Sequence, residues 1–178
     1  DYDLAGFFVG VVERKRLIDG SQIQPGDVVL GIASSGFHSN GYSLIRKVID
    51  DQKLDLAADY GLGRSLGDAL LEPTRLYAKA MAAAEGFGPS AAAHITGGGF
   101  YENLPRVLPE DLGARIDATT WERPAIIDFI LERGQISVDE GYNVFNMGIG
   151  LVIIARAASA ASIIDALANA DYDASVIG

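Results

Sequence analysis

Hydrophobic residues fall into two kinds of pattern along this chain. Residues 28–33 form a short, continuous apolar run, which is typical of a strand buried on both faces. After a polar loop at 34–40, apolar residues recur at helical spacing over 44–49. The sequence therefore predicts an amphipathic helix that begins near Gly41.

The same alternation of strands and helices continues to the end of the chain and predicts an α/β layered domain. Further strands are predicted at 91–96, 114–116, 148–154 and 175–177, and further helices at 73–85, 101–104, 124–133 and 158–169. Pro73 suits the first turn of its helix, and Gly86 suits the end of it. Residues 50–67 are polar and contain glycine, which indicates a surface excursion.

Composition narrows the range of functions. The chain has 178 residues, of which 49% are hydrophobic, so it can bury a core as one domain. Its formal net charge of −10 disfavours binding to nucleic acid or to an anionic membrane surface. The longest apolar run, 147–155, is too short for a membrane span. With no cysteine and only two histidines, we expect no thiol chemistry, no metal site and a cytoplasmic location.

Two windows, 28–45 and 86–101, contain no charged residue, although the chain as a whole is acidic. Each holds one histidine and a loop rich in glycine or hydroxyl groups between a predicted strand and a predicted helix. Backbone N–H groups at such a position favour anions. The alternative for the first loop, 34–41, is a plain connection in which serine and asparagine cap the helix. It is not a Walker loop, because Tyr42 stands where that motif has lysine.

The second loop carries three successive glycines at 97–99, which allow a ligand to approach the backbone closely. The alternative is a tight turn where a helix packs hard on the sheet. His38 is a candidate acid, base or hydrogen-bond donor, and the alternative is a structural histidine. Asn146 is placed either on a pocket wall or in a bulge or turn.

Several blocks of the sequence resemble the aminoimidazole ribonucleotide synthetase family, also called phosphoribosylformylglycinamidine cyclo-ligases. The strongest are 1–12, 34–47 and 94–109, and shorter ones lie at 73–77 and 145–150. The resemblance covers only the C-terminal half of that family, and the chain begins at Asp1 without an initiator methionine. We therefore expect a fragment of a longer protein.

The resemblance implies a three-layer α/β/α domain with a mixed sheet. It assigns 13–178 to this C-terminal domain and 1–12 to a trailing strand of the N-terminal domain or to a linker. Without the N-terminal domain, an apolar surface is expected to be exposed, and we place it around Leu4, Phe7, Phe8 and Val9.

The resemblance also implies a function. The family is a ligase of de novo purine synthesis that uses ATP to convert formylglycinamidine ribonucleotide to aminoimidazole ribonucleotide, releasing ADP and phosphate. ATP and Mg²⁺ are expected to bind mainly through the N-terminal domain, the full-length enzyme is expected to be a homodimer, and the fragment alone is expected to be inactive.

The site residues carried over from the resemblance lie in the blocks just described. His38 is the predicted catalytic residue. The predicted substrate-binding and phosphate-binding residues are Ser34, Ser35, Gly36, Ser39, Asn40, Gly41, Thr96, Gly97, Gly98, Gly99 and Asn146. Two alternatives stay open: a related enzyme, of the formylglycinamidine synthetase, selenophosphate synthetase or thiamine phosphate kinase type, and a non-catalytic ligand-binding or assembly module.

Overall fold

A computed structural model describes residues 6–178 of the chain. Four strands form one sheet in the order β2-β3-β1-β4. The strands are β1 (Val28–Ala33), β2 (Ala91–His94), β3 (Ile149–Ala155) and β4 (Ala174–Val176). The helices are α1 (Tyr42–Gln52), α2 (Leu66–Leu70), α3 (Ala78–Glu85), α4 (Gly99–Asn103), α5 (Ala125–Gly134), α6 (Val138–Val144) and α7 (Ala160–Asn169).

The α/β class is confirmed, but the prediction of a mixed sheet is wrong for the described residues, where every strand pair is antiparallel. The last residue of β1, Ala33, pairs with the first residue of β3, Ile149. The long connection between these strands therefore leaves and re-enters the sheet at the same end. An alternation of strands and helices in the sequence does not distinguish this course from a parallel crossover.

Both faces of the sheet are covered, which gives the predicted three layers. Helices α3 and α7 pack on the face that carries Leu30 and Ile153. Helix α4 and the chain from 107 to 121 cover the face that carries Val29 and Val152, so this layer is only partly helical. A further apolar core, built around Phe145, joins α1, α2 and α5.

Most predicted elements are present with shifted ends, and one is absent from the described structure. No strand forms at 114–116, because Ala114 and Ile116 pack onto the face of the sheet instead of pairing with an edge. The helix predicted to start at Pro73 starts at Ala78. The residues before Ala78 contact the first loop, and the hydroxyl of Ser35 donates a hydrogen bond to the carbonyl of Pro73 at 2.7 Å.

Helices α2 and α6 were not predicted, although each begins with a local signal. The hydroxyl of Ser65 accepts a hydrogen bond from the N–H of Asp68, and Ser137 does the same for Glu140. A serine followed three residues later by a carboxylate is a helix-start signature. Both helices are short, so their hydrophobic periodicity is weak.

The segment at 6–12 forms no helix or strand in the described structure. Phe7, Phe8 and Val9 are almost fully exposed there, at 92%, 100% and 99%. Leu4, which was expected to share this surface, lies outside the described residues. The assignment of 1–12 to a trailing strand of the N-terminal domain or to a linker stays a prediction. Over 6–178, no helix has the length and apolar character needed to cross a membrane.

Candidate functional site

The two charge-free windows meet at one end of the sheet. Strands β1 and β2 both run antiparallel to β3, so the loops that follow them lie at the same end. Asn40 of the first loop accepts at Oδ1 a hydrogen bond from the backbone N–H of Gly97 in the second loop, at 3.0 Å. The ring centres of His38 and His94 are 6.2 Å apart. The fold therefore brings together the two loops predicted to bind anions.

Asn146 supports the first loop from the protein interior. Its side chain is fully buried, and its Nδ2 donates to the carbonyl of Gly36 at 2.7 Å. Its Oδ1 accepts from the N–H of Gly148 at 2.9 Å and lies 3.3 Å from the hydroxyl oxygen of Ser34. Both ends of the amide are thus used within the protein. The structure places Asn146 behind the first loop, with its side chain bonded to the protein, and its predicted role in substrate binding stays a prediction.

The serines of the first loop differ in availability. The hydroxyl of Ser34 donates to the carbonyl of Gly36 at 2.9 Å, and that of Ser35 donates to Pro73. Ser39 is exposed, and its hydroxyl lies 3.2 Å from that of Thr74. Of the three serines, Ser39 is therefore the one best placed to contact a ligand through its side chain.

His38 is buried, with 3% of its surface exposed. Its Nε2 accepts hydrogen bonds from the backbone N–H groups of Ser35, at 3.2 Å, and Arg75, at 3.5 Å. An accepting Nε2 assigns the ring proton to Nδ1, which has no partner in the described structure. Burial lowers the pKa of His38 to about 4, and the charges of His94 and Arg75 act in the same direction. At neutral pH the ring is therefore uncharged, and its one N–H donor, at Nδ1, is buried.

Gly150 packs directly against the ring of His38. This residue is the bulge of β3, unpaired between Ile149 and Leu151 in the ladder with β1. A Cβ at Gly150 would overlap the Tyr77 hydroxyl and would lie 2.5 Å from Cε1 of His38. The Tyr77 hydroxyl donates to the carbonyl of Ala33 at 2.9 Å, and burial raises its pKa. Tyr77 is thus a neutral donor that fixes the end of β1.

We expect His38 to make the domain sensitive to acid. Its folded pKa lies below the unfolded value near 6.5, so the unfolded chain binds the proton first as the pH falls. Its contribution to stability is present above pH 6.5 or so and is lost between that value and about pH 4. The full shift corresponds to about 3 kcal/mol.

Urea unfolding at pH 7 and pH 4 tests this expectation in the wild type and in His38→Gln. The variant should lose about 3 kcal/mol less stability than the wild type over this interval, because glutamine does not titrate. Equal losses in the two proteins would contradict a depressed pKa at His38.

The three glycines of the second loop differ in backbone conformation and in the space around them. Gly98 and Gly99 have positive φ, at 88° and 56°, and a Cβ on Gly99 would collide with the carbonyl of Tyr142. These two satisfy the tight-turn alternative. Gly97 is exposed, and its added Cβ would meet only Oδ1 of Asn40, at 3.9 Å. Gly97 is therefore the position where the backbone is open to a ligand.

Helix α1 begins without a side-chain cap, contrary to the alternative in which serine or asparagine caps it. Gly41 precedes the helix with φ 74°, and a Cβ there would overlap the ring of Phe145. Gly41 thus has a packing role. The uncapped first turn keeps backbone N–H groups of α1 available to an anion.

Two neighbouring residues, Arg75 and Asn103, were not predicted as part of the site. The guanidinium group of Arg75 donates to the carbonyls of Ala33 and Asp171 and lies 5.3 Å from the ring centre of Tyr172. This fixes a positive charge beside the first loop. Asn103 is buried and contacts the second loop. Arg75 was hidden by the incorrect helix start, and no local signal marks Asn103.

Two cavities adjoin residues that flank the loops, since Ala33 lines one and Phe100 lines the other. One of about 360 Å³ is lined by Trp121, Thr119 and Asp173, among others, and an apolar one of about 400 Å³ lies between Leu104 and Leu112. Neither includes a predicted site residue. Over 6–178, no three His, Cys, Asp or Glu residues form a group that could hold a metal ion. Ser39 and Gly97 are exposed, so the two loops meet at the surface of the domain.

Comparison with known proteins identifies the family. A family model described as "AIR synthase related protein, C-terminal domain" matches residues 24–178. A phosphoribosylformylglycinamidine cyclo-ligase from Staphylococcus carnosus is 49% identical over 100% of this chain and 52% of its own length. Enzymes of the same name from Aromatoleum aromaticum and Alkaliphilus metalliredigens are 52% and 44% identical, over 94% and 100% of this chain and 49% and 52% of their own lengths.

The chain spans about half the length of these curated relatives. Both loops lie within the residues that match the family model, 24–178. The chain therefore belongs to the AIR synthase related family and corresponds to the C-terminal part of the phosphoribosylformylglycinamidine cyclo-ligases.

Proposed function

We propose that the full-length protein is an ATP-dependent cyclo-ligase that converts formylglycinamidine ribonucleotide to aminoimidazole ribonucleotide in purine synthesis. This chain supplies the C-terminal half of its active site. The observation that carries the proposal is the hydrogen bond between Asn40 and Gly97, which joins two loops that contain no acidic residue. The names of the relatives support the reaction.

In the proposed reaction the formyl oxygen of the substrate takes the terminal phosphoryl group of ATP, and ADP leaves. An amidine nitrogen then attacks the activated carbon, which closes the imidazole ring and expels phosphate. The loops stabilise phosphate charge through the N–H groups of α1 and the N–H of Gly98, next to the open backbone at Gly97. His38 donates its Nδ1 proton in a hydrogen bond to the reacting amide or to the phosphoryl group in transfer.

The loop residues fit a phosphate group and do not fit Mg²⁺. They offer backbone N–H and hydroxyl groups, whereas Mg²⁺ prefers carboxylate and water oxygens. Residues 34–41 and 94–99 contain no carboxylate. We therefore assign the metal that accompanies ATP to the N-terminal domain, and we keep the homodimer as part of the proposal.

The binding energy that a substrate needs also favours an active site shared between this domain and the N-terminal domain. Micromolar binding needs about 8 kcal/mol, while one helix N-terminus supplies roughly 0.3 to 2 kcal/mol. We therefore expect this chain alone to bind substrate weakly and to be inactive. In the full-length protein, the exposed segment with Phe7 and Phe8 is covered by the N-terminal domain.

The test is ring closure by the full-length protein. Purified protein with ATP and formylglycinamidine ribonucleotide should form aminoimidazole ribonucleotide and ADP in equal amounts, and this chain alone should form neither. Parallel reactions offer the substrates of the three related enzymes. Turnover of one of those instead, or ligand binding without ATP cleavage, would overturn the proposal in favour of a related enzyme or a binding module.

A further inference from the structure

Asn103, at the end of α4, directs its whole side chain at the triple-glycine loop. It is 5% exposed, and its Nδ2 donates to the carbonyls of Thr96, Gly97 and Gly99 at 3.3, 3.1 and 2.8 Å. The two N–H bonds of one amide are thus shared among three backbone acceptors. No other side chain of the described residues donates hydrogen bonds to three backbone carbonyls in this way.

The orientation of this amide is fixed by its other end. Oδ1 of Asn103 accepts from the hydroxyl of Thr96 at 3.2 Å and from Nη1 of Arg106 at 3.2 Å. Two donors at Oδ1 leave only the amino group to face the loop carbonyls. Arg106 is otherwise exposed, with Glu102 as a distant partner at 3.5 Å.

When Asn103 holds the backbone carbonyls of the triple-glycine loop on one side of the loop, the N–H groups of the following residues face the opposite side. In a trans peptide the C=O of one residue and the N–H of the next point in opposite directions, and the described chain has no cis peptide. The carbonyls of Thr96 and Gly97 point towards Asn103, so the N–H groups of Gly97 and Gly98 point away from it. The N–H of Gly97 reaches outward and is used there by Oδ1 of Asn40 in the first loop. The N–H of Gly99 donates to the carbonyl of Thr96 at 3.0 Å, so Gly98 carries the remaining N–H of the three glycines.

We propose that Asn103 is a positioning residue that aims the backbone N–H of Gly98, which has no partner among the described residues, at a phosphate group of the substrate. The inference rests on the proposed function, which places an anionic ribonucleotide at these loops. Asn103 itself is buried behind the loop and does not touch the substrate. Its effect is to fix the direction of this donor before binding, which lowers the ordering cost of the complex.

Two variants of the full-length enzyme distinguish the loss of the Asn103 donor from the effect of an added negative charge. Asn103→Asp keeps the shape and the acceptor at Oδ1 but replaces the donor nitrogen with a charged oxygen, and Asn103→Leu removes donor and acceptor without adding charge. Both should raise the KM for formylglycinamidine ribonucleotide about tenfold or more, which is roughly 1.4 kcal/mol, with a smaller change in kcat. Asn169→Asp, at the exposed end of α7, is the matched control and should leave both constants unchanged.

A structural role alone would lower the active fraction and leave KM as it is, and this result would overturn the inference. A rise in KM confined to Asn103→Asp would also overturn it, because that pattern indicates charge repulsion.

Hydrogen exchange gives a second readout that needs no turnover. In the full-length wild type, inorganic phosphate should slow amide exchange in a peptide covering 94–104, and in Asn103→Asp and Asn103→Leu it should not. A peptide covering β3, which is buried throughout, reports whether each variant keeps its core. Equal protection in the wild type and the variants, or none in the wild type, would overturn the inference. Protection without ring closure in the wild type would instead contradict the proposed reaction and leave the role of Asn103 standing.

Discussion

Replacing Gly99 with alanine should destabilise the domain by about 3 kcal/mol or more, a large part of the 5–15 kcal/mol typical of a folded domain. Gly99 has φ 56°, where alanine is strained. Its added Cβ would collide with the carbonyl of Tyr142 and would lie 3.0 Å from that of Phe145. Both obstacles are backbone atoms, so no side-chain rotation relieves the overlap.

The matched control is two residues away in the same loop. Gly97→Ala adds the same methyl group at an exposed position whose only near neighbour is Asn40. Its free energy of unfolding should stay within about 0.5 kcal/mol of the wild type. In the full-length enzyme it should nevertheless raise the KM for the ribonucleotide substrate, because the methyl group stands where the substrate approaches the backbone.

Urea unfolding of the domain measures the first effect, and steady-state kinetics of the full-length enzyme measures the second. The pair divides the glycine run into a packing position and a binding position. If Gly99→Ala were as stable as Gly97→Ala, the close approach of α4 to the end of α6 would not limit the residue at 99. If Gly97→Ala left KM unchanged, the second loop would not contact the substrate at that point.

Local patterns predicted the parts of the fold that local physics decides. The apolar run 28–33 became β1 with the predicted bounds, because every inner residue of it is buried. Strand direction was not predictable in this way, since it depends on where a connection of more than a hundred residues returns to the sheet. The 114–116 segment shows the same difficulty, because an apolar alternation also suits a strand-like segment lying across a sheet face.

For the site, the sequence marked both loops through their missing charges, but it did not reveal what holds them. The contact between Asn40 and Gly97 joins residues 57 positions apart, and Asn146 reaches Gly36 across 110 positions. Buried asparagines such as Asn103 have no periodicity that separates them from surface ones. Their roles emerge only when the hydrogen bonds of the folded chain are traced.

Substitution of His38 should have the largest effect on catalysis. The structure separates two functions of this ring: Nε2 accepts from backbone N–H groups and holds the loop, while the Nδ1–H has no partner among residues 6–178. Losing one donor aimed at developing charge typically lowers kcat by about 100-fold. We therefore expect about a 100-fold loss in any variant that lacks the Nδ1 donor.

Two amide substitutions distinguish these functions in the full-length enzyme. In His38→Asn, the amide nitrogen takes the place of Nδ1, and asparagine tolerates the positive φ of 57° at this position. In His38→Gln, the amide oxygen takes the place of Nε2 and accepts from Ser35 and Arg75. We expect kcat to fall by about 100-fold in His38→Gln and by less than about tenfold in His38→Asn. Thermal stability should follow the opposite order, because only glutamine keeps the contacts that hold the loop.

The pH dependence of kcat completes this test. A neutral donor with a pKa near 4 gives no acidic limb centred near pH 6.5 in the wild type, whereas a general base with an ordinary histidine pKa gives one. A limb near pH 6.5 that disappears in both variants, together with equal losses of kcat in the two, would mean that His38 transfers a proton. That outcome would replace the donor role with acid–base catalysis and would require Nε2 to leave its backbone partners during turnover.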